Sequence, residues 1–136
     1  MKKQSLLRIA SFGFVIISAL SILMVSLMAF LNPQSVMDLV AVKLTNTDAI
    51  SSIRGIYGGA GLTIVIALAY LSRKDLREAL GFLVLLWGFY ALSRLITQLY
   101  EGPLGVFGKQ WIVIESVFCG IALILLVQQF RKPVVS

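Results

Sequence analysis

Four long apolar runs constrain this chain more than any other feature. They cover residues 6–31, 49–72, 79–99 and 111–130, and they leave little of the 136-residue sequence for anything else. A segment of about 20 mostly apolar residues is long enough to cross the hydrocarbon core of a bilayer as a helix. Because backbone in hydrocarbon must satisfy its own hydrogen bonds, these runs should be helices and not open sheet. The sequence therefore predicts an all-α fold: an integral membrane bundle of four transmembrane helices in one domain, residues 1–136.

Composition narrows the chemistry that is open to the chain. Hydrophobic residues make up 59% of the sequence and charged residues 13%, whereas a soluble domain carries about 25% charged residues. The sequence has no histidine and one cysteine, Cys119. The lack of histidine excludes histidine-based catalysis and histidine metal sites, and a lone cysteine cannot form an internal disulfide or a thiolate metal cage. We therefore expect no metal and no cofactor.

The first apolar run has to be distinguished from a cleavable signal peptide, because basic residues precede it. The apolar core of a signal peptide is about 7–15 residues long. Here the run continues to Leu31, and the stretch from Ser26 to Phe30 lacks a clean small-x-small cleavage site. We therefore expect the run to be retained as the first membrane span.

The distribution of lysine and arginine predicts the orientation. Eight of these residues fall in the N-terminal tail, between the second and third spans, and at the C-terminus: Lys2, Lys3, Arg8, Arg73, Lys74, Arg77, Arg131 and Lys132. Only Lys43 and Lys109 fall on the opposite side. Since cytoplasmic segments carry the excess of positive charge, we expect a multi-pass protein of the inner (plasma) membrane with both termini in the cytoplasm. The net charge of +6 then reflects topology and attraction to membrane lipids, and no nucleic-acid partner is expected.

The connections between the spans differ in character. In residues 32–48, Asn32 can cap a helix and Pro33 suits its first position. Apolar residues then recur at helical spacing: Val36, Leu39, Val40 and Leu44. The pattern predicts a short amphipathic helix on the outer surface of the membrane, between the first and second spans. Residues 73–78 form a short charged connection, and the Gly/Pro content of residues 101–105 predicts a turn.

Three ionisable residues fall inside the spans: Arg54, Arg94 and Glu115. A charge at mid-membrane costs about 2.5–3.5 kcal/mol, so such a residue normally faces a partner or a wet cavity. From the rise of a helix, each lies about 6–8 Å below the outer surface, so three spans contribute to one polar layer. We expect Arg94 and Glu115 to form the main ion pair, since a guanidinium matches a carboxylate bidentately. Arg54 then needs a second anion, supplied by Asp48, Glu101 or a bound ligand.

Two interpretations of this layer stay open. A buried Arg–Glu pair often fixes helix register without any substrate, and arginines near an interface can extend outward to lipid phosphates. The surplus positive charge of Arg54 instead points to an anionic ligand. The spacing Gly55-x-x-x-Gly59 is typical of close helix packing, either within the chain or at a dimer face. Cys119, inside the apolar fourth span, is interpreted as a small packing residue.

Short motifs occur along the chain in a fixed order. They are Asn32-Pro33 after the first span, Arg54-Gly55-Ile56-Tyr57-Gly58-Gly59 in the second, Ser93-Arg94-Leu95 late in the third, Glu101-Gly102-Pro103 after it, and Glu115 in the fourth. Through their order and spacing the chain resembles the small bacterial four-helix membrane proteins catalogued as domain of unknown function 4345. The resemblance implies an inner-membrane protein with no established activity and no catalytic residues to transfer. The family typically has an aspartate where this chain has Glu101.

The resemblance and the shared helical faces together define a candidate polar layer, either ligand-binding or structural. Its residues are Arg54, Tyr57, Gly58, Gly59, Arg94, Gln98 and Glu115. We expect a non-enzymatic structural or interaction module in which this outer-leaflet layer holds the bundle together, with a second copy or another membrane protein as partner. The alternative is a binding or transport protein that holds a small anion or a lipid headgroup at the layer. An enzyme is the weakest hypothesis, since Glu115 with Tyr57 or Tyr90 lacks a metal or a nucleophile–base pair.

Overall fold

The computed structural model describes residues 2–131, and every regular element in that range is helical. The elements, in chain order, are α1 (Lys2–Leu31), α2 (Pro33–Asp38), α3 (Thr47–Ile53), a π-helical segment (Arg54–Gly59), α4 (Ala60–Lys74), α5 (Leu76–Tyr100) and α6 (Val106–Phe130). Four helical stretches are long and apolar enough to cross a membrane: Gln4–Leu31, Thr47–Lys74, Leu76–Tyr100 and Val106–Phe130. The all-helical prediction and the four candidate spans are confirmed, and they indicate a multi-pass membrane protein.

Contacts divide the chain into two compact units. One contains residues 16–70, and the other contains the residues up to Val15 together with those from Leu71 onward. The packing of all four spans into one bundle, the single domain and the orientation of the termini stay predictions. Lys132, one of the basic residues used to predict that orientation, lies outside the described residues.

The third and fourth spans begin earlier than hydropathy predicts. Asp75 is the single non-helical residue between α4 and α5, and its carboxylate accepts a hydrogen bond from the backbone N–H of Arg77 at 2.9 Å. This N-cap starts α5 at Leu76, before the apolar run that begins at residue 79. The predicted turn at residues 101–105 is present, with Gly102 at a φ of 109°. α6 follows directly at Val106, because polar residues such as Lys109 fit a helix although they interrupt the apolar run.

The helix between the first two spans is shorter than predicted. α2 has six residues, with Pro33 in its first turn as expected, but the Asn32 side chain makes no capping hydrogen bond. The chain leaves the helix after Asp38 and passes through Ala41 at a φ of 56°. The Gln34 side chain then bonds to the carbonyl of Val42 at 2.9 Å and the N–H of Leu44 at 2.9 Å. The prediction that Val40 and Leu44 belong to this helix is therefore wrong, because the chain turns at residues 39–41 and the Gln34 side chain bonds to the backbone that follows the turn.

The unit of residues 16–70 has its apolar core where α1 meets α2. Ala29 of α1 and Val36 and Met37 of α2 are buried there. Partly buried side chains surround them: Val25, Met28, Leu44 and Ile53. The apolar side of α2 thus packs against protein, and its position at the membrane surface stays a prediction.

The other unit is built on the α5–α6 pair. Leu80 and Leu83 of α5 are fully buried, and Trp87 is 5% exposed. The Trp87 ring lies 5.0 Å from the Phe118 ring of α6 in an edge-on arrangement, and Phe14 of α1 lies 5.4 Å from Phe118. Such aromatic contacts add about 0.5–1.5 kcal/mol to the burial of the rings. They fix α6 against α5 over the segment that carries Glu115.

Candidate functional site

Arg94 of α5 and Glu115 of α6 form the ion pair that the sequence predicts. Arg94 Nε donates to Glu115 Oε2 at 2.7 Å, and Arg94 Nη2 donates to Glu115 Oε1 at 2.9 Å. The Glu115 side chain is 3% exposed and the Arg94 side chain 22%. Both carboxylate oxygens are therefore engaged by one planar guanidinium, the geometry in which a buried ion pair is strongest. The predicted contact between these two residues is confirmed.

An aromatic residue that the sequence analysis did not single out supports Arg94. The Arg94 guanidinium carbon lies 5.6 Å from the centroid of the Phe107 ring. Phe107 in turn lies 5.8 Å from the ring of Trp111. A cation over an aromatic face gains about 0.5–2 kcal/mol, more where water is excluded. The spacing of four residues from Phe107 to Trp111 and from Trp111 to Glu115 is a helical signal that hydropathy hides, because Lys109 interrupts the apolar run.

Arg54 lies at the start of the π-helical segment and has a different partner. Its Nε donates to the backbone carbonyl of Phe30, near the end of α1, at 3.0 Å. The last carbonyls of a helix have no partner within the helix, and a cation there also complements the helix dipole. Within residues 16–70, Arg54 forms no ion pair, so the hypothesis that Asp48 supplies its anion is wrong. That Arg54 shares one layer with Arg94 and Glu115 stays a prediction.

The close contact between the first and second spans does not use the predicted Gly55-x-x-x-Gly59 spacing and involves other glycines. A Cβ built on Gly55 or Gly59 would meet no other heavy atom within 4 Å. A Cβ on Gly58 would lie 2.7 Å from Cδ2 of Phe30, and one on Gly61 would overlap Ser26 Oγ. The reason is the π-helical segment, whose wider turn shifts the register of the second span relative to an α-helix. The interpretation of Gly55 and Gly59 as a packing face within the chain is therefore wrong, and the dimer-face alternative stays a prediction.

The remaining candidate residues are less constrained. Gln98 is exposed on α5, and Tyr57 is 37% exposed in the π-helical segment. The centroids of the Tyr90 and Trp87 rings are 6.2 Å apart. Nothing within residues 2–131 brings three Cys, Asp or Glu side chains together as metal ligands.

Two polar contacts between helices also contribute to packing. Cys119 is half-buried, with its Sγ 3.5 Å from the carbonyl of Val84. The Gln129 amide of α6 donates to the hydroxyl of Ser11 on α1 at 2.9 Å, and both side chains are buried. Ser11 lies inside the first span, where a serine hydroxyl more often bonds to a carbonyl of the preceding turn. Sequence could not identify its partner, since the two residues lie 118 positions apart.

Comparison with known proteins identifies the family and goes no further. A family model described as a domain of unknown function (DUF4345) matches residues 11–126 of the chain. No curated protein and no solved structure matches it. The match covers most of the chain, including the second and third spans, most of the first and fourth, and the Arg94–Glu115 pair, and the chain therefore belongs to this family.

Proposed function

For this member of DUF4345, we propose a non-enzymatic structural or interaction module of the inner (plasma) membrane. In this proposal the Arg94–Glu115 pair holds α5 and α6 in register, and both termini lie in the cytoplasm. The partner is a second copy of the chain or another membrane protein. No enzymatic role is proposed.

The observation that carries the proposal is the complete pairing of Glu115. Both of its oxygens accept hydrogen bonds from Arg94, and its side chain is 3% exposed. The pair is neutral as a whole, so it offers little attraction to a charged substrate. Removing one member of a buried pair costs about 3–5 kcal/mol because the other charge is left without a partner. An ion pair of this kind serves to hold two helices in one relative position.

A second candidate function rests on Arg54. Its guanidinium contacts the carbonyl of Phe30 and has no ion pair within residues 16–70. A guanidinium without a carboxylate supports the alternative, in which the chain binds or transports a small anion or a lipid headgroup at the polar layer. Phosphate and carboxylate groups are the ligands that match a guanidinium bidentately.

The two candidates differ in their response to added anions. The purified protein is heated in neutral detergent with increasing sulfate or phosphate, at an ionic strength held constant with sodium chloride. A structural module shows a melting temperature independent of the anion. A binding protein shows saturable stabilisation, as ligand binding to the folded state requires. That stabilisation should disappear in Arg54→Gln and persist in the control Lys43→Gln, and this result would replace the structural proposal by the alternative.

The orientation is tested separately by cysteine labelling in a Cys119→Ala background. Single cysteines replace Gln4, near the N-terminus, and Lys109, on the side predicted to face outward. In intact cells a membrane-impermeant maleimide should label position 109 and leave position 4 unlabelled until the membrane is opened. Labelling of position 4 in intact cells would contradict the predicted topology.

A further inference from the structure

A large cavity lies in the unit built on α5 and α6, and its lining residues do not include Arg94 or Glu115. Its volume is about 1050 Å³, and its walls come from the first turns of α1, the α4–α5 connection and the end of α6. All of its lining residues belong to the unit formed by the residues up to Val15 and from Leu71 onward. Four of them are basic: Arg8, Arg73, Lys74 and Arg77. The cavity is therefore a basic site of the size of a small-molecule pocket.

The charges around this cavity do not cancel. Arg77 pairs with Asp75, Nη2 to Oδ2 at 2.8 Å, and Lys74 pairs with Glu78, Nζ to Oε1 at 3.3 Å. Among residues 2–15 and 71–131 of this unit, neither Arg8 nor Arg73 forms an ion pair. Two guanidiniums are thus left over at one cavity, a surplus of two positive charges that an anion would balance.

The walls of the cavity are held in place by contacts of their own. The Arg77 guanidinium carbon lies 5.6 Å from the centroid of the Phe130 ring, so Arg77 is fixed between Asp75 and α6. Gln129, which also lines the cavity, is tied to α1 by its buried hydrogen bond to Ser11. These contacts lie within the protein itself, so they hold the walls of the cavity in a fixed arrangement.

We propose that this cavity binds an anionic phospholipid, with Arg8 and Arg73 as ligands of its phosphate. A guanidinium matches a phosphate bidentately, as it matches a carboxylate. Ile9, Phe12 and Phe130 supply an apolar wall of the same cavity, along which the first acyl carbons lie. Free phosphate would fill a small part of 1050 Å³ and would leave that wall exposed.

The predicted topology places the cavity at the cytoplasmic surface of the membrane. The Lys/Arg bias assigns the N-terminal tail and the α4–α5 connection to that side. Anionic lipids give this leaflet its negative surface potential, and basic pockets between membrane helices on this side are suited to their headgroups. The inference shares with the proposed function the premise of a membrane-spanning chain whose termini lie in the cytoplasm, and it does not depend on the role of Arg94 and Glu115.

The test compares lipid binding by two variants with the same change in charge. Arg8→Gln/Arg73→Gln removes the two unpaired guanidiniums of the cavity. Lys43→Gln/Lys109→Gln removes two positive charges from residues that do not line it. Each purified protein is titrated in neutral detergent with phosphatidylglycerol, phosphatidylcholine or inorganic phosphate. Binding is measured by native mass spectrometry and by the shift in melting temperature.

The proposal expects saturable binding of phosphatidylglycerol to the unmodified chain, in preference to phosphatidylcholine. Each cation near an anionic lipid surface contributes about fivefold in affinity. Arg8→Gln/Arg73→Gln should therefore bind phosphatidylglycerol about 30-fold more weakly. The control variant should bind as the unmodified chain does. Equal binding by both variants, equal binding of the two lipids, or binding of inorganic phosphate alone would overturn the proposal. Loss of lipid binding in Arg54→Gln but not in Arg8→Gln/Arg73→Gln would instead assign the lipid to the polar layer.

Discussion

Replacement of Gly61 by alanine tests the close contact between the first two spans. A Cβ at position 61 would overlap Ser26 Oγ and lie 3.1 Å from Ser26 Cβ. Ser26 is 1% exposed, and its hydroxyl donates to the carbonyl of Ile22 at 2.8 Å. One response is rotation of the hydroxyl, which leaves a buried donor without a partner at about 1–3 kcal/mol. The other is local separation of the helices, and overpacking also costs about 1–3 kcal/mol. Gly61→Ala should therefore lower the free energy of unfolding by about 1–3 kcal/mol.

Two comparisons separate this contact from a general effect of the added methyl group. Gly59→Ala adds the same methyl where nothing lies within 4 Å, so it should be neutral or stabilise by up to about 1 kcal/mol. In a Ser26→Ala background the overlapping oxygen is gone, and the cost of Gly61→Ala should fall below about 1 kcal/mol. The difference is the coupling free energy between the two positions.

The assay is equilibrium unfolding of the purified protein by SDS in mixed micelles, followed by far-ultraviolet circular dichroism. The reasoning would be refuted if Gly61→Ala matched Gly59→Ala in stability. It would also be refuted if the cost of Gly61→Ala were the same with and without the Ser26 hydroxyl.

Three further predictions use the same assay. The Asn46 side chain accepts a capping hydrogen bond from the N–H of Ala49, whereas the Asn32 side chain makes no capping bond. Asn46→Ala should therefore lower the free energy of unfolding by about 1 kcal/mol, and Asn32→Ala should leave it nearly unchanged. Equal effects of the two substitutions would contradict this. Ser11→Ala leaves the buried Gln129 amide without its acceptor and should lower the free energy of unfolding by about 1–3 kcal/mol. Adding Gln129→Leu should recover most of this loss. A loss that is not recovered would indicate that Ser11 acts through packing instead. Arg54→Gln loses the bond to the Phe30 carbonyl and should cost about 1 kcal/mol, against no change for an exposed control such as Lys43→Gln.

The parts of this fold that the sequence predicts are those governed by the membrane. The four spans follow from the length of apolar segments, which the thickness of a bilayer fixes. The Arg94–Glu115 contact follows from two opposite charges at the same predicted depth, because an isolated charge is costly there. Both arguments require only composition and position along the chain.

Other features depend on particular tertiary contacts, which sequence patterns do not encode. The π-helical segment Arg54–Gly59 changes the register of the second span, so an α-helical spacing rule selects Gly55 and Gly59 where Gly58 and Gly61 make the contact. The end of α2 is set by the Gln34 side chain, which bonds to backbone groups eight and ten residues onward. Sequence analysis missed the hydrogen bond from Arg54 to the Phe30 carbonyl. Every residue has a backbone carbonyl, so the residue type at position 30 does not indicate that its carbonyl accepts this bond.

The cavity at the α4–α5 connection shows a third kind of limit. Its basic residues are visible in the sequence, where the positive-inside rule explains all of them as orientation signals. Side-chain geometry decides which of these basic residues form ion pairs. Asp75 pairs with Arg77 and Glu78 pairs with Lys74, so neither carboxylate pairs with Arg73. The surplus charge therefore becomes apparent only in the folded chain.

A double-mutant stability cycle on Arg94→Leu and Glu115→Leu tests the central claim most directly. Arg94→Leu leaves Glu115 buried at 3% exposure and should cost about 3–5 kcal/mol. Glu115→Leu should cost less, because the Arg94 side chain is 22% exposed and its charge can reach water. If the pair is the structural link between α5 and α6, the double substitution recovers most of the loss. Single substitutions that are neutral or stabilising would contradict the account, because the chain would then be keeping these charges at a cost in stability, as a ligand-binding site does.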